Sequence, residues 1–413
     1  MNIWIVNPYG NLPDEAWREY RSSMLARAFA RAGHNVVWWI SNIEHRSKAV
    51  RKLPSGEIRH SPSITIRVLP CAPYQHNISL RRIAYERQFG NAFSRRASQE
   101  IAPDLVVLAE PALFYGPPIL TYLNACCCPL VVDVLDLWPE LFQTALPLFL
   151  RPFHRILFYS LYRQRTFRFR RASAIVAVSE DYRSVARQSA PTRPSHVAYL
   201  GVDLPSFRKS LLSPDDVLQR LHLPPKSTSD VWLIYAGTLG EAYDLQTIAG
   251  AAAKLHSPDA HYRFLFAGDG PKAPMIQQLC RERSSYCTYL GKVAVTDLTS
   301  LYRHCDIGLC SYARHSTVSM PVKFYDYLAA GLAVINSLRS EVSAYVAQEV
   351  GANYTANSPL SLIDAIRHCA DDPTVLAKMK ATAQHLATSF DSAAQHDDAV
   401  AFILRNVAFR NKA

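Results

Sequence analysis

Two doubly wound α/β domains in tandem are what this sequence predicts, and three observations point there. The chain has 413 residues, roughly half of them apolar, more than one ordinary core accommodates. Short continuous apolar runs alternate with longer stretches of helical periodicity, the pattern of parallel sheets covered on both faces. That alternation pauses at a polar, proline-containing stretch near 203–229 and then restarts.

In the first half, IWIVN (3–7) reads as a buried strand. Residues 15–32 carry helical periodicity and run into Gly33, a natural C-cap. Further strands are expected at 35–40, 64–69, 104–109, 130–136, 174–179 and 196–201. The polar stretch (VDLPSF, then LPPKSTSD) reads as a domain joint. Beyond it, strands are expected at 231–237, 262–268, 287–291, 306–310 and 332–337, with helices beginning near Leu245, Pro271, Asp297 and Pro321. From about 358 the tail reads as three helices, the last over roughly 391–409 and free to pack back on the first domain. The expected division is therefore 1–203, 204–390 and a C-terminal helix over 391–413. In such sheets ligands bind at the carboxyl ends of the strands, and the cleft between two domains is the default site.

Composition narrows the class. The opening MNIWIVNPYG lacks a basic leader, so no signal peptide is expected, and no run reaches the ~18 uncharged apolar residues of a membrane span. Nine cysteines include the consecutive Cys126, Cys127 and Cys128; without a CxxC pair these read as small buried residues in a reducing cytosol. Charge is lopsided. Residues 1–200 hold 25 Lys/Arg against 14 Asp/Glu, whereas 201–413 hold 20 of each, so the net +11 sits in the first half, which should face something anionic.

Three strands of the second half end in glycine turns: YAGTLGEAYDL with Gly237 and Gly240, FAGDGPKAP with Gly268 and Gly270, and YLGKV with Gly291. Glycine lets backbone approach a ligand, though each turn alone is also an ordinary strand-to-helix connection. Neither GxGxxG nor GxxxxGK[ST] is present. In SMPVKFYDYLAAGLAVINS (319–337), Pro321 falls at a helix start, and Lys323 lies in the first turn, where the macrodipole alone disfavours a cation. A phosphate-bearing ligand removes that oddity. Asp326, one turn on along the same face, suits sugar hydroxyls beside the phosphate. The alternative is a surface Lys–Asp pair within the helix, worth about 0.3 kcal/mol.

MPVKFYDYLAAG closely resembles the donor-site motif of glycosyltransferase family four, the retaining nucleotide-sugar transferases of GT-B fold. YAGTLGEAYDL, FAGDGP and YLGKV resemble the family's donor-domain loops in order, and DVLDLWPE (133–140) resembles a stretch of the branch that builds bacterial surface polysaccharides such as lipopolysaccharide, capsule or exopolysaccharide. VSEDYRS and YLGVD resemble that branch's closing strands and hinge. The resemblance implies two Rossmann-like domains facing each other across a cleft, an N-terminal one for the acceptor and a C-terminal one for the donor. It implies donor contacts from Pro321, Lys323 (phosphates), Asp326 (ribose), Val293 (base, by its backbone), Gly237, Gly240, Gly268 and Gly270. It implies a nucleotide diphosphate sugar as substrate, no cofactor and no required metal, and domain closure that shields the donor from water. Three positions depart from the family: Val318 stands where a glutamate is common, and Thr238 and Tyr243 stand near the places of an Arg and a Lys. Lys323 is then left with more of the phosphate charge, helped by Lys292 or Lys272.

On the acceptor side, Asp133, Asp136 and Glu140 follow a buried strand, and Asp136 either orients or deprotonates an acceptor hydroxyl or caps the next segment. Gly10, in the loop after the first strand, suits close approach of donor or acceptor. The segment 151–171 has seven arginines, no acid and interleaved aromatics, and 81–96 has five arginines and one acid. Either the aromatics pack on the core above solvated arginines, or the segment lies on an anionic membrane surface. No nucleic-acid module is present. The expected acceptor is a glycan or polyprenyl-diphosphate-linked sugar, and the expected location the cytoplasmic membrane's inner face. A nucleotide-sugar epimerase of the same fold and a catalytically silent membrane scaffold are the rival readings.

Overall fold

A computed structural model describes residues 1–12, 15, 21–52, 56–212, 216–255 and 261–408. The chain forms two compact units, one of Met1–Leu200 with the segment from Ala393, the other of Gly201–Ser392.

The first unit is built on eight strands: β1 (Asn2–Val6), β2 (Asn35–Ser41), β3 (Gly56–Ser61), β4 (Ile64–Leu69), β5 (Leu105–Glu110), β6 (Leu130–Val134), β7 (Ala174–Ala177) and β8 (Ser195–Val197). Their order is β3-β4-β2-β1-β5-β6-β7-β8. All neighbours are parallel except β3, which pairs antiparallel with β4 at the edge. Sequence reading misses β3 because GEIRHS has a single large apolar residue, Ile58, and stays largely exposed. An edge strand covered on neither face needs no more.

Side-chain alternation divides the unit's core in two. Trp4 and Val6 point to one face with Trp39, Phe89 and Phe93, and the Trp4 and Trp39 rings lie 4.9 Å apart. Ile3 and Ile5 point to the other with Trp38, Leu25 and Phe29, which the helix Arg21–Arg31 supplies. The first helix was expected over 15–32; residues 16–20 lie outside those described. The C-terminal helix Ser392–Asn406 covers the same second face with Ala399, Val400 and Ile403. Two buried ion pairs tie these layers. Arg21 Nη2 donates to Asp133 Oδ1 at 2.9 Å and Nη1 to the Ala198 carbonyl at 2.6 Å. Arg168, fully buried, pairs with Glu110 at the end of β5.

The second unit has six parallel strands in the order β11-β10-β9-β12-β13-β14. They are β9 (Val231–Ala236), β10 (Tyr262–Ala267), β11 (Cys287–Gly291), β12 (Ile307–Cys310), β13 (Ala333–Asn336) and β14 (Gly351–Asn353). β14 escapes sequence reading because Gly-Ala-Asn carries no apolar signal. The stretch read as a joint is instead partly helical: Leu204–Leu211 begins where the Asp203 carboxylate accepts from Ser206 N at 3.1 Å, and Val217–Arg220 follows. Helices Pro359–Ala370 and Pro373–Ala387 complete the tail. Among the described residues no helix is long and apolar enough to cross a membrane. The cysteines are all free; of the consecutive three only Cys128 is buried, whereas Cys127 is exposed with φ 50°.

Candidate active site

In the second unit, the helix Val322–Ala330 follows the N-cap Pro321, and no side chain caps its first turn. It stops at Gly331 with φ 69°, where a side chain would collide with Gln384, so the Ala-Ala-Gly stop has a steric reason. Lys323 is 9% exposed, and among the described residues its ammonium has no hydrogen-bond partner. Three tyrosine rings surround it: Nζ lies 3.9 Å from the Tyr235 centroid, 4.9 Å from Tyr243 and 5.3 Å from Tyr312. Cation–π attraction offsets only part of the lost hydration, and burial pushes the ammonium from its usual 10.5 down to about 8. Asp326 is half-buried one turn along.

The glycine loops stack directly above. A Cβ on Gly237 would lie 3.1 Å from Lys323 Nζ. Gly237 and Gly268 have φ 141° and 144°, and a Cβ on Gly268 would lie 1.8 Å from the Gly237 carbonyl oxygen. A Cβ on Gly270 would similarly meet the Leu239 carbonyl at 2.5 Å. These glycines are thus required first by each other: Gly237 N donates to Ala267 O and Gly268 N to Gly291 O, which uses both amides inside the loop stack. Gly240 is under no such constraint, since its Cβ would meet only the Thr238 methyl at 3.7 Å. Val293 and Val318 are half-buried. The other two cations considered for phosphate already have anions: Lys272 meets Glu241 at 2.8 Å and Lys292 meets Asp269 at 3.5 Å.

In the first unit, a cavity of about 460 Å³ opens at the carboxyl ends of β1, β2 and β5. Gly10 lines it, and a side chain there would place Cβ 2.6 Å from the Trp38 ring. Asp136 also lines it, with Oδ1 accepting from Leu137 N at 2.9 Å and Oδ2 from Trp138 Nε1 at 3.0 Å. Burial raises its carboxyl above the ordinary value, against the opposing pull of those hydrogen bonds. Both readings of Asp136 therefore coexist in one geometry: it braces its own turn and faces the cavity.

Asp133 and Glu140 are not brought to the cavity. Asp133 is held by Arg21 inside the sheet, and Glu140 by Arg165 Nη1 at 2.6 Å and Nη2 at 2.8 Å. Sequence reading missed the cavity's cationic wall, Arg21, Arg46 and Arg82 with His45. It also treated 151–171 as a single face. Arg165 and Arg168 are in fact buried partners of carboxylates, while Leu148, Phe149, Ile156 and Tyr159 are 76%, 73%, 75% and 64% exposed. These apolar side chains, two of them just ahead of the segment, stay off the core, whereas Phe169 within it is buried there. Among the described residues no three His, Cys, Asp or Glu side chains gather as metal ligands.

Two family models match the chain: "Glycosyltransferase Family 4" over residues 21–205 and "Glycosyl transferases group 1" over residues 230–372. No curated protein matches the sequence significantly. Among solved structures, a sucrose-phosphate synthase from Thermosynechococcus elongatus superposes with TM-score 0.74 at 15% identity, covering 98% of each chain. Anabaena HepE in complex with UDP gives 0.69 at 16% identity, covering 98% of this chain and 100% of that one. WaaG, described as a glycosyltransferase involved in lipopolysaccharide biosynthesis, gives 0.66 at 14%, covering 98% and 99%. With both halves matched in order, this chain is a glycosyltransferase of family four with the GT-B fold.

Proposed function

We propose that the protein transfers a sugar, with retention of configuration, from a nucleotide diphosphate sugar to a hydroxyl of a lipid-linked glycan in the building of a bacterial surface polysaccharide. The single observation behind this reading is the buried, unpartnered ammonium of Lys323 at an uncapped helix start. A desolvated cation without an anion is costly, and a diphosphate supplies the missing charge. As the donor bond breaks, charge builds on the leaving diphosphate, and Lys323 with the helix dipole stabilises it in place. Asp326 takes the ribose hydroxyls, Val293 the base, and Gly237, Gly240, Gly268, Gly270 and Pro321 form the wall around the phosphates. Asp136 orients the acceptor hydroxyl or accepts its proton. Similar folds crystallised with UDP, with UDP and glucose, and with UDP-glucose support a nucleotide-sugar donor. The exposed apolar residues of 148–159, set among arginines, support contact with an anionic bilayer where a lipid-linked acceptor resides.

A panel of nucleotide sugars screened for thermal stabilisation identifies the donor. Release of nucleoside diphosphate is then followed with and without glycolipid acceptor. Acceptor-dependent release is the expected result. Product formed without acceptor assigns an epimerase, and neither stabilisation nor release assigns a silent scaffold.

A further inference from the structure

Next to the Asp136 cavity lies a second one of about 350 Å³, and the two share Asn77, Arg82, Pro111 and Trp138. Its chemistry differs: Ile83, Leu113, Phe114, Phe142, Phe158 and Leu161 line it, with few polar atoms among them. Its rim includes Ile78 and Leu80, the latter 83% exposed, and Leu146, two residues before the exposed Leu148 and Phe149. An apolar trough thus runs from exposed hydrophobic surface to a polar chamber.

Arg82 stands at the junction. Its guanidinium stacks 4.9 Å over the Tyr9 ring and 4.8 Å over the Trp138 indole. Nη1 donates to the Asn77 carbonyl at 2.9 Å and Nε to Tyr9 Oη at 3.2 Å, and Glu86 is 3.4 Å away. Positive charge gathers beside it. Arg46 lines the polar cavity, and Lys48 Nζ donates to Asn77 Oδ1 at 2.7 Å. Burial, then Lys48, Arg82 and Arg46, keep the His45 imidazole neutral, down to about 3. Three carboxylates face this group: Glu86 is committed to Arg82, the Tyr9 hydroxyl and Phe114 N, Glu110 is paired with Arg168, and Asp136 accepts from Leu137 N and Trp138 Nε1. A cationic constriction between an apolar trough and a polar chamber fits an amphiphile with phosphate at its waist.

We propose that this trough holds the hydrocarbon chain of a phosphorylated lipid acceptor, with its phosphate at Arg82 and Arg46 and its sugar beside Asp136. For the acceptor's nature this rests on the function proposed above; for the chain and phosphate it rests on the cavity pair alone.

The test is calorimetric, on the full-length protein without donor, using farnesyl phosphate, farnesol and inorganic phosphate as probes. Farnesyl phosphate should bind at least tenfold tighter than either of the others. Ile83→Trp, which fills the trough, and Leu161→Glu, which charges it, should each weaken farnesyl phosphate at least tenfold. Both should leave thermal stabilisation by nucleoside diphosphates intact, since that reads the other unit and reports folding. Equal binding of farnesol and farnesyl phosphate, or variants that bind like wild type, would overturn the proposal. So would a concentration-dependent dimer abolished by Leu161→Glu, which gives the trough to a second copy. A wild-type protein that fails to bind farnesyl phosphate yet is stabilised by nucleoside diphosphates sinks the trough and spares glycosyl transfer; the converse spares the trough and sinks the donor assignment.

Discussion

Lys323 Nζ lies 3.9 Å from the centre of the Tyr235 ring, with no hydrogen bond to any acceptor among the described residues. The fold holds this cation in place among aromatic rings. Such preorganised charge acts most strongly where charge develops during reaction. Lys323→Ala should therefore lower kcat/KM by ~2–4 kcal/mol of transition-state stabilisation. Steady-state kinetics with the identified donor checks this, and unchanged turnover would remove Lys323 from catalysis.

The same buried ammonium predicts a stability profile. Its value falls from 10.5 to about 8 on folding, so the folded state binds its proton less tightly than the unfolded one. The penalty is fully present below pH 8 and fades as pH rises through 10.5, amounting to about 3 kcal/mol at neutral pH. Lys323→Met should be the more stable protein at pH 7 in urea titrations without ligand, and its advantage should shrink above pH 8. A less stable variant at pH 7 would contradict the desolvation argument.

Asp136 gives a pH-dependent prediction of the opposite kind. Burial raises its carboxyl, so the acid limb of the kcat/KM profile should sit above the ordinary aspartate range. Asp136→Asn should abolish that limb and cost about 10²-fold or more in turnover, with nucleoside diphosphate binding unchanged. A variant with full turnover and a stability loss of about 1 kcal/mol would leave Asp136 only its bracing role.

The loop stack predicts a contrast between two glycines. Gly268→Ala forces a side chain onto the Gly237 carbonyl at a φ of 144° and should cost ~2 kcal/mol or more. Gly240→Ala meets only a methyl at 3.7 Å and should be nearly neutral. Chemical denaturation of both variants separates steric necessity from ligand contact.

For the bilayer, Leu148→Ser with Ile156→Ser should reduce flotation with vesicles containing anionic lipid, and added salt should weaken the wild-type interaction. Binding indifferent to anionic lipid, to salt and to both substitutions would discard membrane contact.

Much of the architecture was legible because strands covered on both faces, such as β1 and β9, spell continuous apolar runs. β3 and β14 were not, since edge strands carry little apolar signal. Lys323 and its helix start were readable from local spacing. Its cage was not, because Tyr235 in β9 and Tyr243 in the loop after it meet Tyr312, which follows β12, only once the sheet has folded. The arginines misled for the same reason. Nothing local to Arg168 reveals that its carboxylate is 58 residues away, or that the partner of Arg21 is 112 away. Net charge counted these as surface, whereas each neutralises a buried acid whose exposure would be expensive.

The helix Ser392–Asn406 lends Val400 and Ile403 to the buried cluster that holds Ile3 and Phe29, so the first unit is finished by a segment far downstream of its own strands. During synthesis that face stays wet until the whole of the second unit has been made. Truncation after residue 390 would therefore injure the first unit rather than the second, and a fragment ending at Leu200 would expose a greasy furrow along its sheet.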